Sequence, residues 1–132
     1  MTRAFSDNYR FLARYNRWFN ERLLAACETL SDEERRRDRG AFFGSLHGTL
    51  NHLVWGDTMW LGRFAAQGQA FAALPADLLA LPVGARYETM LYEDWAGLRS
   101  QRARLDAAIE AWVAELPDDF ATRTMRYSNT KG

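Results

Sequence analysis

Apolar residues recur in this chain at alternating intervals of four and three positions, the rhythm of one helix face. The first such stretch is Phe5, Tyr9, Leu12, Asn16, Phe19, Leu23, Ala26 and Leu30. It predicts an amphipathic helix of about 27 residues, with the SDEE run from Ser31 as a stop or a fresh cap. The second, from Ala41 to Phe64, carries Phe43, Leu46, Leu50, Leu53, Asp57, Trp60 and Phe64. The third, from Arg86 to Leu116, carries Tyr87, Leu91, Trp95, Leu98, Arg102, Leu105, Ile109, Trp112 and Leu116. Between the last two, Pro75 and Pro82 of AALPADLLALPVG forbid one continuous helix and predict a crossover with a short helical turn. After Pro117 the rhythm decays. Phe120, Thr122, Thr124, Arg126 and Ser128 alternate with Ala121, Arg123, Met125 and Tyr127, which predicts a short extended piece or hairpin arm.

Heptad-like stripes on long helices joined by loops predict an all-α helical bundle. Each stripe holds one polar residue where an apolar one is expected: Asn16, Asp57 and Arg102. Two arrangements fit them. The three meet at one depth as a buried polar layer, Arg102 paired with Asp57 and completed by Asn16; or Arg102 snorkels and Asp57 lies at the edge of its stripe.

Composition narrows the function classes. One domain of 132 residues is long enough to bury a core. Its 48% hydrophobic and 26% charged residues mark a globular chain, not a disordered one. Seventeen basic residues balance seventeen acidic ones, and no basic block carries a recognition motif, which argues against nucleic-acid binding. The run DEERRRDR, Asp32 to Arg39, alternates in sign and reads as a solvated loop or helix edge. No apolar segment reaches the roughly 18 residues of a membrane span, and the N-terminus lacks the apolar core of a secretion signal. The single Cys27 forbids an intramolecular disulfide, so a reducing, cytoplasmic setting is expected and Cys27 reads as a buried, inert thiol, with a nucleophile as the alternative. Trp18, Trp55, Trp60, Trp95 and Trp112 read as core residues, with a pocket or dimer face formed together with the crossover from Phe71 to Leu81 as the alternative.

Candidate chemistry centres on FFGSLHGTLNHLVWGD, Phe42 to Asp57, which holds both histidines. Residues five apart on a helix are rotated by about 140°, so His47 and His52 cannot face one ion; a two-histidine helical site needs a spacing of three or four. His47 is then a bystander or at most an entrance residue. His52 has Gly48 one turn before it and Gly56 one turn after. Interior glycine costs roughly 1 kcal/mol relative to alanine, so the two glycines call for a reason: close helix packing, or room for an ion, water or substrate beside the ring.

YNRWFNERLL (Tyr15–Leu24), AFFGSLHGTLNHLVWGDTMWLGRF (Ala41–Phe64) and MRYSNTKG (Met125–Gly132) resemble the DinB-like, or YfiT-like, family of bacterial metalloenzymes, and the resemblance spans nearly the whole chain. It implies an up-down-down-up four-helix bundle, often a homodimer, with nickel or zinc held by three histidines. By motif position His52 is one ligand. The other two belong to a His-x-x-x-His pair on a fourth helix following YSNTKG. The sequence stops at Gly132, so that helix and pair have no counterpart in it. Residues 1–132 are accordingly expected to be one DinB-like domain lacking its C-terminal helix. Its groove would then be covered by the remainder of a longer chain or by another chain.

Two functions follow from the resemblance. In one, the domain is a metal-dependent enzyme, a thiol-dependent S-transferase or a hydrolase acting on a low-molecular-weight thiol, with Asp57, Arg102, Asn16, Gly48 and Gly56 as pocket or supporting residues. In the other, it is a non-catalytic helical-bundle dimer that binds a ligand or partner, its metal site having lapsed.

Overall fold

A computed structural model describes residues 3–129. It is all-helical: α1 (Arg3–Glu28), α2 (Asp32–Arg36), α3 (Leu46–Ala65), α4 (Ala76–Leu79) and α5 (Trp95–Glu115), with a 3₁₀ turn at Phe120–Thr122. Among the described residues there is no strand, only an isolated bridge between Ala41 and Gly44. Thr130–Gly132, the end of the MRYSNTKG motif, lie outside the described residues.

Helix α5 is the central element, packed against α1 on one side and α3 on the other. Contacts give the directions. Asn16 meets Asp106 and Glu28 meets Trp95, so α1 and α5 are antiparallel; Asp57 meets Arg102 and Phe64 meets Trp112, so α3 and α5 run the same way. Leu98 and Leu105, at 0% exposure, and Val54, at 1%, form the core between them, joined by Phe71, Leu74 and Leu78 of the crossover.

Local chemistry sets the helix boundaries, and two starts differ from the periodicity. Helix α3 begins at Leu46, not Ala41. Gly40 and Gly44 adopt φ of 72° and 76°, a turn that helical residues cannot make, and the Ser45 hydroxyl then caps the helix by accepting from Gly48 N at 2.9 Å. Helix α5 begins at Trp95, not Arg86, because Asp94 caps it by accepting from Gly97 N at 2.6 Å. Residues 86–94 are held away from helical geometry by side chains of α3. The predicted crossover turn is α4. The arm after Pro117 forms no hairpin: Gln67 accepts from Arg126 N at 2.9 Å and donates to Arg126 O at 2.7 Å, so a side-chain amide takes the place of a partner strand.

The acidic–basic run is not a solvated edge throughout. Ser31 caps α2 by accepting from Glu34 N at 3.1 Å. Arg35, only 7% exposed, lies over the Trp95 ring and donates to the carbonyls of Cys27 and Leu30 at the end of α1. A cation there satisfies orphan carbonyls and the negative end of the helix dipole.

The buried faces are narrower than the predicted stripes and rotated from them. On α1, Ala13, Asn20 and Cys27 are buried while Phe5, Leu12 and Phe19 remain about half exposed beside Phe11, Tyr15 and Trp18. On α3 the buried set is His47, Leu50, Asn51, Val54, Trp55, Thr58 and Leu61, leaving Leu53 and Trp60 about two-fifths exposed. One neighbouring helix covers only a seam of a wide apolar face, and α1 and α3 each pack more closely against α5 than against each other. The tryptophans divide accordingly: Trp55 and Trp112 are buried, Trp18 and Trp60 are not.

Candidate functional site

The two histidines share a task that spacing did not disclose. His47, at 0% exposure, has Nε2 at 2.8 Å from Tyr92 O. His52 has Nδ1 at 2.9 Å from Tyr87 O. A carbonyl only accepts, so His47 carries its proton on Nε2 and His52 on Nδ1. Both rings thus clamp the segment between Tyr87 and Tyr92 onto α3. Asn51 completes the clamp: its amide accepts from Tyr92 N at 2.8 Å and donates to Tyr92 O at 3.1 Å. His47 is a buried structural residue, neither a bystander nor an entrance.

His52 stacks on Phe43, ring centroids 3.9 Å apart, and lies near Trp55 at 5.8 Å. Sterics account for only one of the flanking glycines. A Cβ at Gly48 would collide with the Phe43 carbonyl oxygen in the turn before α3, whereas one at Gly56 would meet nothing. Neither serves close helix–helix packing. With Nδ1 engaged, His52 keeps the Nε2 lone pair of a metal-binding histidine, but among the described residues no three His, Cys, Asp or Glu side chains gather around an ion. The described residues therefore supply one donor of a three-ligand divalent site.

Asn16, Asp57 and Arg102 do come together, away from His52. Arg102 is 4% exposed and donates from Nη2 to Asp57 Oδ2 at 2.6 Å. Sequence reasoning missed two further members. Asp106 Oδ1 accepts from Arg102 Nε at 3.0 Å and Nη2 at 2.7 Å, and also from Asn20 at 3.0 Å and Asn16 at 3.2 Å. Each missed residue lies one turn after a recognised one on the same helix: Asn20 after Asn16, Asp106 after Arg102. The i, i+4 spacing carries the signal, and following a single polar position per stripe loses it. The result is a polar layer with one guanidinium between two carboxylates.

Burial, at 2% exposure, pushes the Asp106 carboxyl above its ordinary value and the Asp57 charge adds to the push, against the opposing pull of Arg102 and the Asn20 hydrogen bond. Cys27 is also buried, and burial raises its thiol away from the reactive range.

Above the layer opens a cavity of about 540 Å³ between α1, α3, α5 and the C-terminal arm. Asn16 and Asp57 lie on its wall, and the rest is mostly apolar, with Phe64, Trp112 and Phe120 in mutual ring contact at 4.9–6.0 Å. Two clamps hold its rim: Gln67 on Arg126, and Glu115, whose carboxylate accepts from Ala72 N and Ala73 N, both at 3.0 Å.

A raised Asp106 has a definite consequence. The folded protein keeps that proton to a higher pH than the unfolded chain, so this group's contribution makes stability fall as pH rises from the ordinary Asp value through the raised one, and level off above it. Asp106→Asn retains an acceptor oxygen and removes the titration. Urea unfolding across the acidic range should show the stability of Asp106→Asn, relative to wild type, rising with pH over that window; parallel pH profiles would contradict it.

The DinB family matches residues 5–131, nearly the whole chain. No curated protein and no solved structure matches it. Among the described residues no helix is long and apolar enough to cross a membrane. The chain belongs to the DinB family.

Proposed function

We propose that this domain binds a small molecule in the cavity between α1, α3 and α5. The observation that carries this is the cavity itself: about 540 Å³, largely apolar and aromatic, with a few convergent polar groups at Asn16 and Asp57. That size and lining are those of small-molecule sites. The polar layer beneath makes the wall rigid, since Arg102 and Asp106 are tied to each other and to α1 and α3 by the hydrogen bonds described above. A neutral fluorescent probe, N-phenyl-1-naphthylamine, should bind saturably. Ile109→Trp, which places an indole on the cavity wall, should weaken that binding by ~10-fold or more by filling the space. No saturable binding, or binding indifferent to Ile109→Trp in a folded variant, would contradict the proposal.

A second reading, the metal-dependent transferase or hydrolase that the resemblance implies, has one observation in its favour. The backbone carbonyl of Tyr87 fixes the His52 tautomer with Nε2 as the free lone pair. Nickel or zinc would be held there together with donors that the described residues do not supply, and it would provide Lewis-acid activation of a bound thiol or water. Calorimetric titration of nickel and of zinc tests this: it predicts a stoichiometric isotherm that His52→Ala abolishes while the helical circular-dichroism spectrum persists. No isotherm, or one that survives in His52→Ala, would contradict it.

A further inference from the structure

The cavity wall carries a charge that the layer does not neutralise. Asp57 and Asp106 share the single guanidinium of Arg102, and the remaining partners, Asn16 and Asn20, are neutral. Two carboxyl groups therefore share one cation. Of the two acids, Asp106 is sealed at 2% exposure, whereas the Asp57 side chain is 40% exposed and lines the cavity. Asp57 gives Oδ2 to Arg102, and Oδ1 has no hydrogen-bond partner among the described residues. The other charged side chain on the wall, Arg123, is already engaged, donating to Gln69 Oε1 at 2.7 Å and Asp119 Oδ1 at 2.9 Å. The unbalanced carboxylate therefore faces an apolar space rimmed by aromatic rings.

We propose that the cavity selects organic cations: a ligand whose protonated amine sits against Asp57 Oδ1 and whose aromatic or branched apolar body lies among Phe64, Trp112 and Phe120. The inference rests on the cavity binding small molecules at all. A charge-assisted hydrogen bond in a partly desolvated site is stronger than a neutral one, ring faces also attract cations, and an anion of the same shape would meet the Asp57 charge.

Three probes of matched shape test this at neutral pH: 2-phenylethylamine, 2-phenylethanol and phenylacetate, titrated calorimetrically into the wild-type chain. The amine should bind ~10-fold or more tightly than the alcohol, and phenylacetate more weakly than either. Asp57→Asn should abolish the amine's preference over the alcohol, with the helical circular-dichroism spectrum reporting an intact fold in the variant. Should Asp57→Asn fail to fold, the order of the three probes on wild type still decides. An alcohol that binds as tightly as the amine, or a tighter phenylacetate, overturns the charge selection and leaves the cavity as a binding site. Failure of all three, together with failure of the neutral naphthylamine probe, overturns both.

Discussion

A buried Arg102–Asp106 pair on α5 anchors the polar layer at which the three long helices meet. Arg102 projects from α5 with almost no exposure, reaches Asp57 on α3 through Nη2, and meets Asp106 one turn along its own helix, where Asn16 and Asn20 of α1 also converge. A buried charge is tolerated only when paired and hydrogen-bonded, and removing one partner from such a set costs about 3–5 kcal/mol. A slip of α3 against α5 would break the Arg102–Asp57 pair, and a slip of α1 against α5 would take the Asn16 and Asn20 amides from buried Asp106. The apolar contacts around Leu98, Leu105 and Val54 supply non-directional burial; the layer adds the direction.

The same arrangement creates the candidate site. Because α1 and α3 pack more closely on α5 than on each other, space remains between them above the layer. The C-terminal arm and the loop after α3 border that space, held by Gln67 and Glu115. Membership of the DinB family gives the domain its lineage. Among the described residues the geometry offers an apolar cavity with Asp57 on its wall, and no gathered set of metal donors. His52 lies outside that arrangement, stacked on Phe43 and fastened to the loop before α5.

The long helices were legible because their apolar rhythm persists over several turns, and Asn16, Asp57 and Arg102 were legible as interruptions of it. Their partners were not. Asn20 and Asp106 fall just off the predicted stripes, and a stripe tracked at one position per turn sees only half of an i, i+4 pair. Helix starts were misplaced where capping overrides periodicity: Phe43 and Tyr87 continue the rhythm in sequence, but Gly44 at positive φ and the Asp94 cap end the helices before reaching them. The histidines show a different limit. Their rotation about α3 separates them, as spacing predicts, but their common role depends on where residues 87–92 cross that helix, a long-range contact that local pattern does not encode. The rotated faces of α1 and α3 have the same origin, since which part of a wide apolar surface is covered depends on the neighbour and not on the helix.

The central claim is that Arg102 and Asp57 form a coupled element of the core and not a surface ion pair. A double-mutant cycle with Arg102→Gln, Asp57→Asn and the double variant, read by urea unfolding at neutral pH, measures it directly. The account predicts a coupling of about 1–2 kcal/mol, a value reduced from that of a fully buried pair because Asp57 is partly exposed. A coupling below about 0.5 kcal/mol, the level of an exposed salt bridge, would contradict it.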